Sequence, residues 1–140
     1  MSTVLFVCKA NRGRSVMSQA LFERAAAGRH HAISAGSEAE PHGGPHAAVV
    51  QALRELGLDV ADQRPQRLTT ELAARADAVV TMGCGDACPI IPGKKQLRVD
   101  WDLPDPKDRP LEEVRATRDD ILRRVERLVD ELDASLERTP

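Results

Sequence analysis

Residues 3–8, TVLFVC, form an apolar run without the alternation that a half-wetted strand shows. Such a run predicts a strand covered on both faces, as a central strand of a parallel sheet is covered by helices. DAVVTM at 77–82 is a second buried strand of this kind, HAISAG at 31–36 is a short one, and LRVDW at 97–101 is a weaker fourth. Helical stretches lie between and after them. SVMSQALFERAAAG is opened by Ser15 and closed near Gly28, and AAVVQALRELG sets Val49, Leu53 and Leu56 on one face before Gly57 ends it. TTELAARA at 69–76 is a short helix with Thr70 as its expected cap. A long amphipathic helix from Leu111 to Leu136 carries Val114, Ile121, Leu122, Val125, Leu128, Val129 and Leu132 as its inner stripe. Strands alternating with helices predict an α/β fold: a three-layer sandwich whose four-stranded parallel sheet runs 2-1-3-4, flanked by helices.

The 140 residues fit one domain, 1–140, large enough to bury a core without cross-links. Only 2% of them are aromatic against 41% hydrophobic, so that core is expected to consist of Val, Leu, Ile and Ala. A net charge of -2 supplies no overall field for nucleic acid, and any anion recognition has to be local. The N-terminal MSTVLFVCKAN has no charged leader region, and its apolar run is too short to span a membrane. A cytoplasmic monomer without membrane or nucleic-acid partners is the expectation.

In VLFVCKANRGRS, residues 4–15, the first strand ends on a thiol and breaks into a small basic loop. In open α/β sheets ligands sit beyond the carboxyl ends of strands where strand order reverses, here between strands 1 and 3. Cys8 ends strand 1 and Cys84 follows strand 3, so both thiols are expected at one crevice. The loop of Lys9, Ala10, Asn11, Arg12, Gly13 and Arg14, with the start of the helix behind it, makes a cradle for a tetrahedral oxyanion. Arg14 offers two parallel hydrogen bonds to such an anion, and Ser15 with the helix dipole favours negative charge on the Cys8 sulfur. The competing reading of Cys8 is a small hydrophobe at the end of a core strand.

Cys84 and Cys88 lie in GCGDACP, between Gly83 and Pro89. On a helix their Cβ atoms would stand about 5–6 Å apart, whereas a disulfide needs about 3.5–4.5 Å. Pairing them should therefore distort the loop. Three thiols also invite a zinc reading, but a closed site wants a fourth ligand and no histidine lies near residues 84–88. No metal and no cofactor is expected. His30, His31, His42 and His46, two of them in HGGPH, are read as solvated loop residues. Inert buried thiols remain a third reading of the cysteine pair.

CKANRGRS fits Cys-x5-Arg-Ser, and with Asn11 in register it resembles the low-molecular-weight phosphotyrosine phosphatases and their relatives, the thioredoxin-coupled arsenate reductases. ISAGSE, VVTMGCGDACPIIPGK and WDLPDP followed by VRATRDDI resemble the reductase branch, and the likeness covers nearly the whole chain. It implies that Cys8 attacks arsenate, that Cys84 resolves the adduct as a Cys8–Cys84 disulfide, and that Cys88 passes this on as a Cys84–Cys88 disulfide for thioredoxin. It also implies that Asp105 in DLPDP is a general acid, against a plain turn role; Asp108 is read as a possible cap for the last helix. Phosphate and sulfate are implied as competing oxyanions.

The chain departs from the family at Gly13, where many members carry a second cysteine. A looser loop is the expectation. Lys9 and Arg12 add charge, either to the anion well or to solvent. Three alternatives stay open: a phosphatase acting on phosphotyrosine or a small phosphate ester, a mycothiol-coupled arsenate reductase needing only Cys8, and a non-catalytic oxyanion-binding redox sensor. The phosphatase would want aromatic walls, and this chain has no Tyr, two Phe and one Trp.

Overall fold

The structure, a computed structural model, describes residues 1–83 and 92–137. Its elements are β1 (Thr3–Cys8), α1 (Arg14–Ala26), β2 (His31–Gly36), α2 (Ala47–Arg54), α3 (Thr70–Arg75), β3 (Ala78–Thr81), β4 (Leu97–Asp100) and α4 (Leu111–Glu137). The four strands form one sheet in the order β2-β1-β3-β4. Every neighbouring pair is parallel, as the sequence predicts.

The unbroken apolar run of β1 has its cause in the two layers around it. Val4, Phe6 and Cys8 face the larger core, with Val16, Leu21 and Phe22 of α1 and Val114, Ile121 and Val125 of α4. Leu5 and Val7 face the smaller core, with Ala73 of α3, Ala76 and Val79. With a side-chain period of two, one strand feeds both layers. Phe6 packs edge-on against Phe22 at 5.6 Å between ring centroids and lies 5.9 Å from Trp101. Every Phe and Trp of the chain is thereby spent on the core, since Phe6, Phe22 and Trp101 are all buried.

Local details differ from the sequence reading in places. The cap of α3 is Thr69, not Thr70: its hydroxyl accepts from the Leu72 N–H at 3.1 Å, three residues on. Helix α2 ends at Arg54, and a turn through Gly57 follows, in which the Leu58 N–H reaches Leu53 O at 3.0 Å. Asp108 does not cap α4. It sits in the left-handed region at φ 58°, and Pro110 O accepts the first-turn N–H groups of Glu113 and Val114. His30 is no loop residue in solvent: its buried ring bonds Asp133 on α4 through Nε2 at 2.9 Å and accepts from the Ser2 N–H at Nδ1. Among the described residues no helix is long and apolar enough to cross a membrane.

Candidate active site

Parallel pairing brings Cys8 level with Gly36 of β2, and the chain turns there into the loop 9–13 that opens α1. Cys8 is 2% exposed, and its Sγ lies 2.9 Å from Ser15 Oγ. Behind it stands Asn11, buried and in the left-handed region at φ 57°. The Asn11 Nδ2 donates to Ser15 Oγ at 2.8 Å, and its Oδ1 accepts from the Gln66 N–H at 2.9 Å. The asparagine thus ties the loop to the segment before α3 and orients the serine that faces the sulfur.

Arg14, first residue of α1, is 7% exposed. Its Nη1 donates to Leu103 O at 3.3 Å, and its Nη2 lies 3.7 Å from Asp105 Oδ2. Gly83 closes in from β3: a Cβ there would fall 2.6 Å from Arg14 Nη1, on a backbone at φ 77° that already favours glycine. The guanidinium is therefore held at the junction of α1, the segment after β3 and the loop before α4. α1 also begins here, with first-turn N–H groups that have no partner inside the helix.

Cys8, Arg14 and Asp105 border a cavity of about 250 Å³. Cys8, Ala10, Arg12, Gly13 and Arg14 line it from the loop, Glu38 and Glu40 from the turn after β2, His46 from the start of α2, and Asp105 and Lys107 from the loop before α4. No aromatic side chain borders it apart from the imidazole of His46. Asn11 and Ser15 are not among the lining residues; they form the layer that orients the sulfur. Lys9 is exposed and does not border the cavity; its carbonyl accepts from the Glu38 N–H. Arg12 borders the cavity and does not point away to solvent, because its Nη2 donates to His42 O while its own carbonyl accepts from the His46 N–H. It ties the loop after β2 to the cradle.

Asp105 makes the turn that its sequence allows and also borders the cavity. Oδ1 accepts from the Lys107 N–H at 3.0 Å, which makes a turn, while Oδ2 faces Arg14. Gly13 corrects the expectation of a looser loop. A Cβ at Gly13 would fall 2.4 Å from Pro106 Cγ and 3.1 Å from its Cδ, so the missing side chain is room for a ring and not slack.

The sequence reading put His46 among the solvated loop residues, and the structure corrects it, because the ring stands half-buried on the cavity wall; Glu38, Glu40 and Lys107 were not singled out. Half-buried, His46 is held below the ordinary histidine value by burial, which outweighs the pull of Asp105; Arg12 and Lys107 push the same way as burial. The signal that pointed to it was HGGPH directly ahead of a helix. Cys84 and Cys88 lie outside the described residues. Among the described residues no cluster of three or more His, Cys, Asp or Glu side chains is placed to hold a metal ion.

The chain is similar to known proteins. The family model of the low molecular weight phosphotyrosine protein phosphatases matches residues 3–138. An arsenate reductase of Brevibacillus brevis is 33% identical over 131 residues, covering 91% of this chain and 94% of its own. A solved thioredoxin-dependent arsenate reductase of Corynebacterium glutamicum is 33% identical with a TM-score of 0.79; the match covers 96% of this chain but 63% of that longer one. An arginine phosphatase of Geobacillus stearothermophilus superposes with a TM-score of 0.82 at 27% identity, over 100% of this chain and 99% of that one.

Proposed function

The chain belongs to the low molecular weight phosphotyrosine protein phosphatase family and to its arsenate-reductase branch, and we propose that it reduces arsenate to arsenite in the cytoplasm with thioredoxin as reductant. The observation that carries this reading is a buried thiol beside a buried arginine in a cavity whose walls hold no Phe, Tyr or Trp. Such a cavity suits a small ion, whereas an aryl phosphate wants a ring to stack on.

Arg14 holds two arsenate oxygens through parallel N–H donors while the Cys8 sulfur attacks arsenic. An S–As bond forms and an As–O bond breaks. Asp105 gives the proton with which the departing hydroxide leaves as water. Cys84 then attacks the Cys8 sulfur; the electron pair of the S–As bond passes to arsenic, which leaves as arsenite, and the two sulfurs are oxidised to a disulfide. Attack by Cys88 on Cys84 frees Cys8, and the remaining Cys84–Cys88 disulfide is reduced by the thioredoxin dithiol. Phosphate and sulfate compete for the same cradle.

The test is arsenate-dependent NADPH consumption with thioredoxin and thioredoxin reductase, run on wild type beside Cys8→Ser, Cys84→Ser and Cys88→Ser. Turnover by wild type alone supports the relay. Cycling by Cys88→Ser means that the reductant attacks earlier in the scheme, before a Cys84–Cys88 disulfide forms; cleavage of a phosphate ester without arsenate reduction replaces the reading with a phosphatase.

A further inference from the structure

We infer that Gly13 is a positioning and specificity-determining residue: its missing side chain seats Pro106 on the oxyanion loop, which sets Asp105 beside Arg14 and sizes the cavity for a bare tetrahedral anion. The inference rests on the activity proposed above and assigns its selectivity to one contact.

Of the residues from Pro104 to Pro110, all of them described, Pro106 alone is buried. Asp105 itself is largely solvent-exposed, its side chain at 56%. Among the described residues, the turn to the Lys107 N–H and the facing guanidinium of Arg14 are the contacts that fix where its carboxyl stands. That turn spans Pro106, so Asp105, Pro106 and Lys107 move as a unit, and the proline ring is its anchor. The anchor sits where a side chain at position 13 would be.

The fit has no slack. Carbon atoms settle at about 3.5–4.0 Å, whereas a Cβ on Gly13 would stand 2.4 Å from Pro106 Cγ. The obstacle is a closed ring and not the free end of a flexible chain, so even one methyl group displaces the unit by about 1 Å. His46 Cδ2, 3.6 Å from the same point, blocks sideways escape along that wall. Asp105 and Lys107 both border the cavity, so the displacement widens its mouth as it carries the acid away.

The two consequences act oppositely on two substrates. Arsenate must lose hydroxide, a poor leaving group that needs the proton from Asp105. p-Nitrophenyl phosphate releases a stable phenolate that needs little acid, but its ring needs room. A side chain at position 13 therefore slows the first reaction and favours the second.

The experiment is a cycle of Gly13→Ala, Pro106→Ala and the double variant. Each is assayed for arsenite formed by pre-reduced protein, for p-nitrophenyl phosphate hydrolysis, and for thermal midpoint. Misplacement of a reacting group by about 1 Å costs on the order of a hundredfold, which is the loss expected for Gly13→Ala with arsenate. Hydrolysis of the aryl ester is expected to hold or rise. Pro106→Ala removes the ring atoms that the new methyl group meets, so adding Gly13→Ala to it should cost nothing more. Losses that multiply in the double variant, or equal losses of both activities in step with the thermal midpoint, overturn the inference. If wild type reduces no arsenate, the proposed activity fails by itself. The same cycle is then read from the protection that inorganic phosphate gives Cys8 against iodoacetamide: weakened by Gly13→Ala and not weakened further in the double variant if the contact sets the cavity, unchanged by Gly13→Ala if it does not.

Discussion

Replacing Asn11 by Asp reverses a hydrogen bond at the sulfur while leaving the loop in place. The Gln66 N–H donates to Asn11 Oδ1, which leaves Nδ2 as the end that faces Ser15. A hydroxyl that accepts from Nδ2 keeps its own hydrogen to give, and Cys8 Sγ stands 2.9 Å away. An aspartate at 11 still accepts from Gln66 and tolerates the left-handed backbone. Its second oxygen, however, accepts where the amide donated. The serine hydrogen turns to it, and the sulfur loses a donor in its charged state. A hydrogen bond to a charged group is worth about 1.5–3 kcal/mol; a loss of about 2 kcal/mol corresponds to roughly thirtyfold. The expected result is a thirtyfold fall in kcat/KM for arsenate with a thermal midpoint near that of wild type. Ser15→Ala removes the same bond, so Asn11→Asp/Ser15→Ala should be no slower than Asn11→Asp. Wild-type speed in Asn11→Asp, or losses that multiply in the double variant, refutes the reasoning.

Two further outcomes follow from titrating groups. His46, held below the ordinary 6.5 by burial, gains its charge only in acid, next to Arg12 and Lys107; phosphate should inhibit wild type more strongly than His46→Gln once the pH falls far enough to charge the ring, and equally at neutral pH, as inhibition constants across pH will report. Asp133 is held below its ordinary 3.8 by the hydrogen bond from His30 and then by Arg29. A depressed folded-state value contributes stability above the unfolded value and loses it as pH falls through the folded one. Asp133→Asn should therefore melt below wild type at neutral pH, with the gap closing below about 3.8; a gap that is constant with pH contradicts this.

The parallel sheet was legible because β1 and β3 carry apolar residues on both faces, and only a central position covers both. The loop from Cys8 to Ser15 was legible because thiol, asparagine, arginine and serine fall in one turn between a strand and a helix. What escaped depends on contacts distant in sequence. His30 reads as a loop residue until α4 brings Asp133 to it from 103 positions away. Gly13 reads as slack until the loop before α4 lays Pro106 against it. His46 looks like one of a histidine pair, and only the fold of the turn after β2 brings it to the cavity wall. The choice of Thr69 over Thr70 turned on one residue of helix phase, which two adjacent threonines do not encode. Residues 84–91, with two of the three thiols, lie outside the described residues, so the relay rests on sequence and resemblance.

The most direct test of arsenate reduction by this chain's own thiols needs no reductase partner. Fully reduced protein is mixed with arsenate in the absence of any external thiol, arsenite is counted, and the disulfide is mapped by mass spectrometry. The account predicts one arsenite per chain, with Cys84 joined to Cys88 and Cys8 returned as a thiol. No arsenite, or arsenite only after a small thiol is added, contradicts it.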